Sequence, residues 1–141
     1  MKKLFTLLAT ITLVAGLSTT ALSANTKAKG KPFLIQGKLP HLTMMVKVLW
    51  DDADLALSDA QKKKLLQVKK ETMSGAKSLA KQINPLEAKI VQASFDGATP
   101  ASLQADVRKL ANLRAEATMI HLKCIYNTRA ILTQDQLDLV E

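Results

Sequence analysis

Between Leu57 and Phe95 the chain runs without any Gly-Pro cluster to break it. Leu65, Leu66, Met73, Ala76, Leu79, Ala80, Ile83, Leu86, Ile90 and Val91 recur through it at three-, four- and seven-residue steps. That is helix period, with no strand alternation. A long amphipathic helix cannot cover its own apolar stripe, so every other segment must be read as something that packs against this one. Pro85 lies inside the stretch; having no N–H, it leaves the carbonyl four residues back without its helical donor, and a bend near 82–84 is expected.

The start of the stretch is marked by Leu57-Ser58-Asp59-Ala60-Gln61, whose Ser58 and Gln61 have the spacing of a capping box. The same device returns as Leu132-Thr133-Gln134-Asp135-Gln136. Gly97 is a natural C-terminal cap for the first long helix, and Thr99-Pro100 restarts a second with an N-cap and a proline at its first position. Leu103, Val107, Leu110, Ala117, Cys124 and Ile131 carry that helix's apolar face to about Ala130. Thr133 then caps a short last helix with Leu137, Leu139 and Val140. Ahead of the first box, Pro40 is expected to open a short helix reaching about Asp52, with Trp50 covering one end of the core. The predicted fold class is all-α: four helices, short-long-long-short, around a long helical hairpin. Two amphipathic helices bury little by themselves, so an antiparallel homodimer is expected to complete the core.

The first residues read differently. Lys2 and Lys3 precede an uncharged apolar run from Leu4 to Leu17, and Ala21 and Ser23 stand three and one residues before a cut after Ser23. Residues 1–23 are therefore expected to be a cleaved signal peptide, with a retained anchor as the alternative, and the destination to be the periplasm. Residues 24–38, with four lysines and two glycines, read as a flexible basic arm, and 39–141 as the helical domain. Cleavage removes two lysines and no acid, so the formal charge of +8 falls to +6. Export takes nucleic acid out of reach, and the few aromatics offer no stacking platform. The positive field is left to meet a membrane surface, an acidic partner or an unfolded chain. A single cysteine, Cys124, forms no internal disulfide; it is a buried residue, a metal ligand or an intermolecular link.

The two boxes, Leu57-Ser58-x-x-Gln61 and Leu132-Thr133-x-x-Gln136, resemble the LTxxQ motifs of the Spy/CpxP family of periplasmic proteins. The order of parts resembles it too: signal, basic arm, short helix, box, long hairpin, box. The likeness covers about Leu39 to Val140, with Ser58 standing where the motif has threonine. It implies a cradle-shaped antiparallel dimer acting as an ATP-independent chaperone or envelope-stress accessory. Its partners would be unfolded or misfolded periplasmic proteins, or a membrane sensor kinase or other signalling protein. A related branch contains heavy-metal resistance and sensor proteins, and Leu39-Pro40-His41-Leu42-Thr43-Met44-Met45 looks somewhat more like that branch. The branch commonly places two histidines on the first helix, where this chain has only His41.

Two constellations carry these alternatives. Lys63, Lys70 and Lys77 share one heptad position beside that of Leu66, Met73 and Ala80, with Lys81 one step further round. From Gln61 to Ser94 eight lysines face only Glu71 and Glu87. Cations rimming an apolar strip suit loose capture of unfolded polypeptide, with Met73 and Val91 as holding positions; a merely solvated helix face is the bland reading. The second constellation pairs His121 with Cys124 on one helix face and His41 with Met44 and Met45 on another. If the short helix folds back, these side chains suit Cu(I), or zinc should a carboxylate join them. Core packing explains the same cysteine and methionines without any metal. No His-Glu-x-x-His, nucleophile elbow or phosphate-cradling glycine loop occurs, and the chain is not read as an enzyme.

Overall fold

A computed structural model describes residues 32–35 and 37–141. The expected signal peptide and most of the basic arm lie outside the described residues. Four helices follow in order: α1 (Leu42–Val48), α2 (Asp59–Phe95), α3 (Pro100–Ile131) and α4 (Gln134–Val140). The expected all-α, short-long-long-short arrangement is what folds, and no strand occurs among the described residues.

Both boxes cap as their spacing predicts. Ser58 Oγ accepts from the Gln61 N–H at 3.3 Å, and Gln61 Oε1 accepts from the Ser58 N–H at 3.0 Å. Thr133 and Gln136 repeat the pattern at the same two distances. Thr99 Oγ1 accepts from the Ser102 N–H at 3.3 Å, with Pro100 opening α3. At the hairpin's turn, Gly97 stands at φ 85°, the Ala98 N–H donates to Ala93 O at 2.9 Å and the Gly97 N–H to Ser94 O at 3.2 Å. This is a Schellman cap, for which a residue without Cβ is the natural choice. Helix α2 continues unbroken through Pro85.

The bounds of the first helix differ from expectation. α1 begins after His41 and ends at Val48, short of Pro40 and Asp52. Asp52 Oδ1 accepts from the Asp54 and Leu55 N–H groups at 2.8 and 3.4 Å, a side-chain turn that competes with helix. Ala56 then adopts φ 43°, a left-handed conformation rare for a residue with a Cβ. The reversal drives Leu55 to full burial before the first box begins.

Two cores result. At the base of the hairpin Leu42, Val46, Leu55, Leu65, Leu132, Leu137 and Val140 form one cluster, with Trp50 packed against it as expected. Halfway along, Leu79, Ile83, Leu113 and Ala117 form another, joined by Phe33 from the preceding segment. The Leu34 N–H donates to Thr118 Oγ1 at 2.8 Å, so this part of the arm lies on α3. No residue from 84 to 112 is buried. No helix among the described residues is long and apolar enough to cross a membrane.

Candidate polypeptide-binding surface

Successive residues on a helix turn by about 100°, so the buried positions of α2 (Leu65, Val68, Leu79, Ile83) define its inner side. Lys63, Lys70, Lys77 and Lys81 fall on the opposite side, and all four are exposed. Between the two lies a side of α2 carrying Leu66 and Met73 and, about 27 Å further along, Val91; these are 54%, 63% and 52% exposed. None of the four lysines joins the ion pairs found among the described residues. Those pairs are Lys62–Asp51 at 3.0 Å, Lys89–Asp106 at 2.7 Å, Arg114–Glu87 and Arg129–Glu141. Leu66, Met73 and the neighbouring cation row thus stand open to solvent, at the positions the heptad spacing picks out.

A groove between α1 and α2 adjoins Leu66 and Met73. Its wider part, a cavity of about 300 Å³, is lined by Thr43, Val46, Lys47, Trp50, Leu65, Leu66 and Lys69. Leu66 belongs to both features, so the groove and this side of α2 form one apolar surface. The cations at the groove are Lys47 and Lys69, and Lys62 Nζ sits 5.8 Å from the Trp50 ring centroid. Sequence spacing pointed to none of these. A signal existed in the four-residue step from Val46 to Trp50, but α1 ends at Val48, and only the turn from Asp52 to Ala56 decides what the two residues face.

The second constellation is partly assembled. The His41 and His121 rings stack with centroids 5.0 Å apart and planes 21° from parallel, and the Phe33 ring lies 5.0 Å from His121, tilted by 31°. His121 and Cys124 are both buried. The groove's narrower part, a cavity of about 250 Å³, is lined by His41, Thr43, Met44, Lys47, Lys69, Thr72, Met73 and Cys124. Met45 is not among its lining residues and is half-exposed on α1. Met73, first read as a client-holding position, stands here beside the soft donors. No carboxylate lines this cavity, and no group of three or more His, Cys, Asp or Glu placed to hold a metal occurs among the described residues.

The glutamines of the two boxes do more than cap. Gln61 Nε2 donates to Gln136 Oε1 at 2.7 Å and to Ile131 O at 3.0 Å. Gln136 Nε2 donates to Leu55 O at 2.8 Å. Each glutamine closes its own helix start and ties it to the other. Comparison of the chain with protein-family models, with curated proteins and with solved structures finds no match.

Proposed function

We propose that this chain is an exported, ATP-independent binder of unfolded polypeptide, a chaperone or envelope-stress accessory of the kind the Spy/CpxP likeness implies. The observation that carries the reading is the exposed pair Leu66 and Met73, which also line the groove between α1 and α2, bordered by Lys63, Lys70, Lys77 and Lys81, none of which is in an ion pair among the described residues; Val91 continues the same side of α2 toward the tip. Such a surface provides apolar contact without demanding one shape, and its charge speeds encounter with acidic segments. Flexible lysine stems can also lie along an apolar client while their ammonium groups stay in water.

A homodimer with a cradle-like concave face belongs to the same proposal. Its support is a second uncovered apolar patch, Met119 and Tyr126 on α3, which are 63% and 74% exposed. Leu79 is a poor probe of that dimer: it is buried within one chain against Ile83, Leu113 and Ala117, so Leu79→Asp is expected to unfold the hairpin. Met119→Asp is the cleaner test, since sedimentation then reports association with the fold intact.

Stopped-flow capture of a permanently unfolded acidic polypeptide tests the binding mechanism. Changing Lys63, Lys70, Lys77 and Lys81 together to Gln should slow association several-fold at low salt and leave dissociation nearly unchanged. The difference should shrink at physiological ionic strength, where charges are screened beyond about 8 Å. Leu66→Ser and Val91→Ser should instead speed release. Equal association rates for the parent and the four-lysine variant at low salt would overturn the mechanism.

A further inference from the structure

We propose that the narrow cavity where α1, α2 and α3 meet is a site for one Cu(I) ion, bound by the Cys124 thiolate with Met44, Met73 and His41. Three helices supply the donors: His41 and Met44 come from the start of α1, Met73 from α2 and Cys124 from α3. Two thioethers, a thiol and an imidazole form a soft set unsuited to Mg(II) or Ca(II), and its two thioether sulfurs are what favour Cu(I) over Zn(II). Stacking of His41 on His121 holds the imidazole at the cavity wall, as outer groups commonly orient metal ligands. Met44 and Met73 are 60% and 63% exposed, so their unbranched side chains are free to turn inward onto an ion.

Charge favours the same ion. Lys47 and Lys69 line the cavity and no carboxylate does. When Cu(I) binds, the Cys124 S–H bond breaks, an S–Cu bond forms and the proton leaves to solvent. One positive charge replaces another, and the cavity's net charge is unchanged. Zn(II) replacing the same proton would add a positive charge beside two ammonium groups with no acid to offset it. A zinc site completed by a carboxylate finds none among the residues lining this cavity.

The proposal does not rest on client binding, and its test contains no polypeptide. The reduced chain is titrated anaerobically with Cu(I) against bicinchoninate, a chromophoric Cu(I) chelator, and with Zn(II) separately. One Cu(I) per chain, with one proton released per ion, is expected. Met44→Leu and Met73→Leu alter exposed side chains and should each weaken binding at least tenfold with helicity by circular dichroism unchanged; Met45→Leu should leave affinity at the parent value. X-ray absorption should show a sulfur-dominated shell that loses sulfur in Met73→Leu. Failure to take Cu(I) from the chelator would overturn the site. So would affinity indifferent to both Met→Leu changes, which would reduce the binding to an ordinary thiol, or preference for Zn(II).

Discussion

At the base of the hairpin, α1, α4 and the segment around Leu55 wrap the ends of α2 and α3, and seven apolar side chains are buried together. Toward the turn, α2 and α3 have only each other, and no side chain from 84 to 112 reaches burial. Phe95 is 84% exposed and Val107 48%. The two regions share one helix period, but the tip has fewer large apolar side chains and more alanine, and fewer elements meet there. A two-helix contact covers one stripe per helix and leaves the flanks bare, whereas a third and fourth helix close over them. At the tip the Schellman cap closes the turn and Leu86 and Leu110 pack back onto the mid-hairpin cluster, while the Lys89–Asp106 and Arg114–Glu87 pairs add little where they are exposed. The base is therefore the stable unit, and the groove that carries the proposed binding is built on it.

Truncation should expose the difference most sharply. Leu55 is fully buried, and Leu55→Ala should cost about 2–5 kcal/mol through lost transfer energy and the cavity left behind. Val107→Ala, on the tip's exposed flank, should change stability by less than about 0.5 kcal/mol. Urea unfolding of both variants measures the contrast; equal costs would mean that the tip is covered in solution by a partner. Amide exchange should agree with it, with protection falling from α2 residues near Leu65 toward those near Val91.

The glutamine clasp ranks next. Gln136 is 8% exposed, and Gln136→Ala would remove the donor to Leu55 O and the acceptor for both the Thr133 N–H and Gln61 Nε2. Loss of buried partners costs about 1–3 kcal/mol, more than the roughly 1 kcal/mol expected for Ser58→Ala or Thr133→Ala, which remove only a cap oxygen. A double-mutant cycle between Gln61 and Gln136 should show coupling above about 0.5 kcal/mol. Additive losses would mean that the two boxes act as separate caps.

That ordering could not be read from spacing alone. A box of five residues announces a helix start, because serine or threonine and the glutamine three residues on satisfy groups within one turn. It carries no information on whether two such starts meet in space. Likewise, periodicity placed Lys63, Lys70 and Lys77 on one face of α2 beside Met73, since that geometry is internal to a helix. Lys47 and Lys69 come together, and Met73 joins His41, Met44 and Cys124, only because the chain reverses between Val48 and Ser58. The reversal depends on the Asp52 turn and on a left-handed Ala56, a residue type that gives no sign of such a backbone. Local geometry was legible and the junctions between helices were not.

Gly75 offers the finest test, at the boundary between the two regions. A glycine inside a helix normally costs about 0.8–1.0 kcal/mol relative to alanine, so Gly75→Ala ought to stabilise α2. A Cβ at this position, however, would stand 2.8 Å from Ile120 Cδ1 on α3. The methyl must move, or the helices must part, and overpacking of this kind costs about 1–3 kcal/mol where neighbours cannot yield. In the parent chain Gly75→Ala should therefore be neutral or destabilising by about 1 kcal/mol. Ile120→Val deletes the conflicting Cδ1, and in that background the same change should stabilise by about 0.5–1 kcal/mol. The reversal of sign, measured as a difference in urea midpoint between the two backgrounds, is the diagnostic. If Gly75→Ala stabilised both chains equally, the α2–α3 approach here would be loose, and the firm packing of the base would end before Gly75.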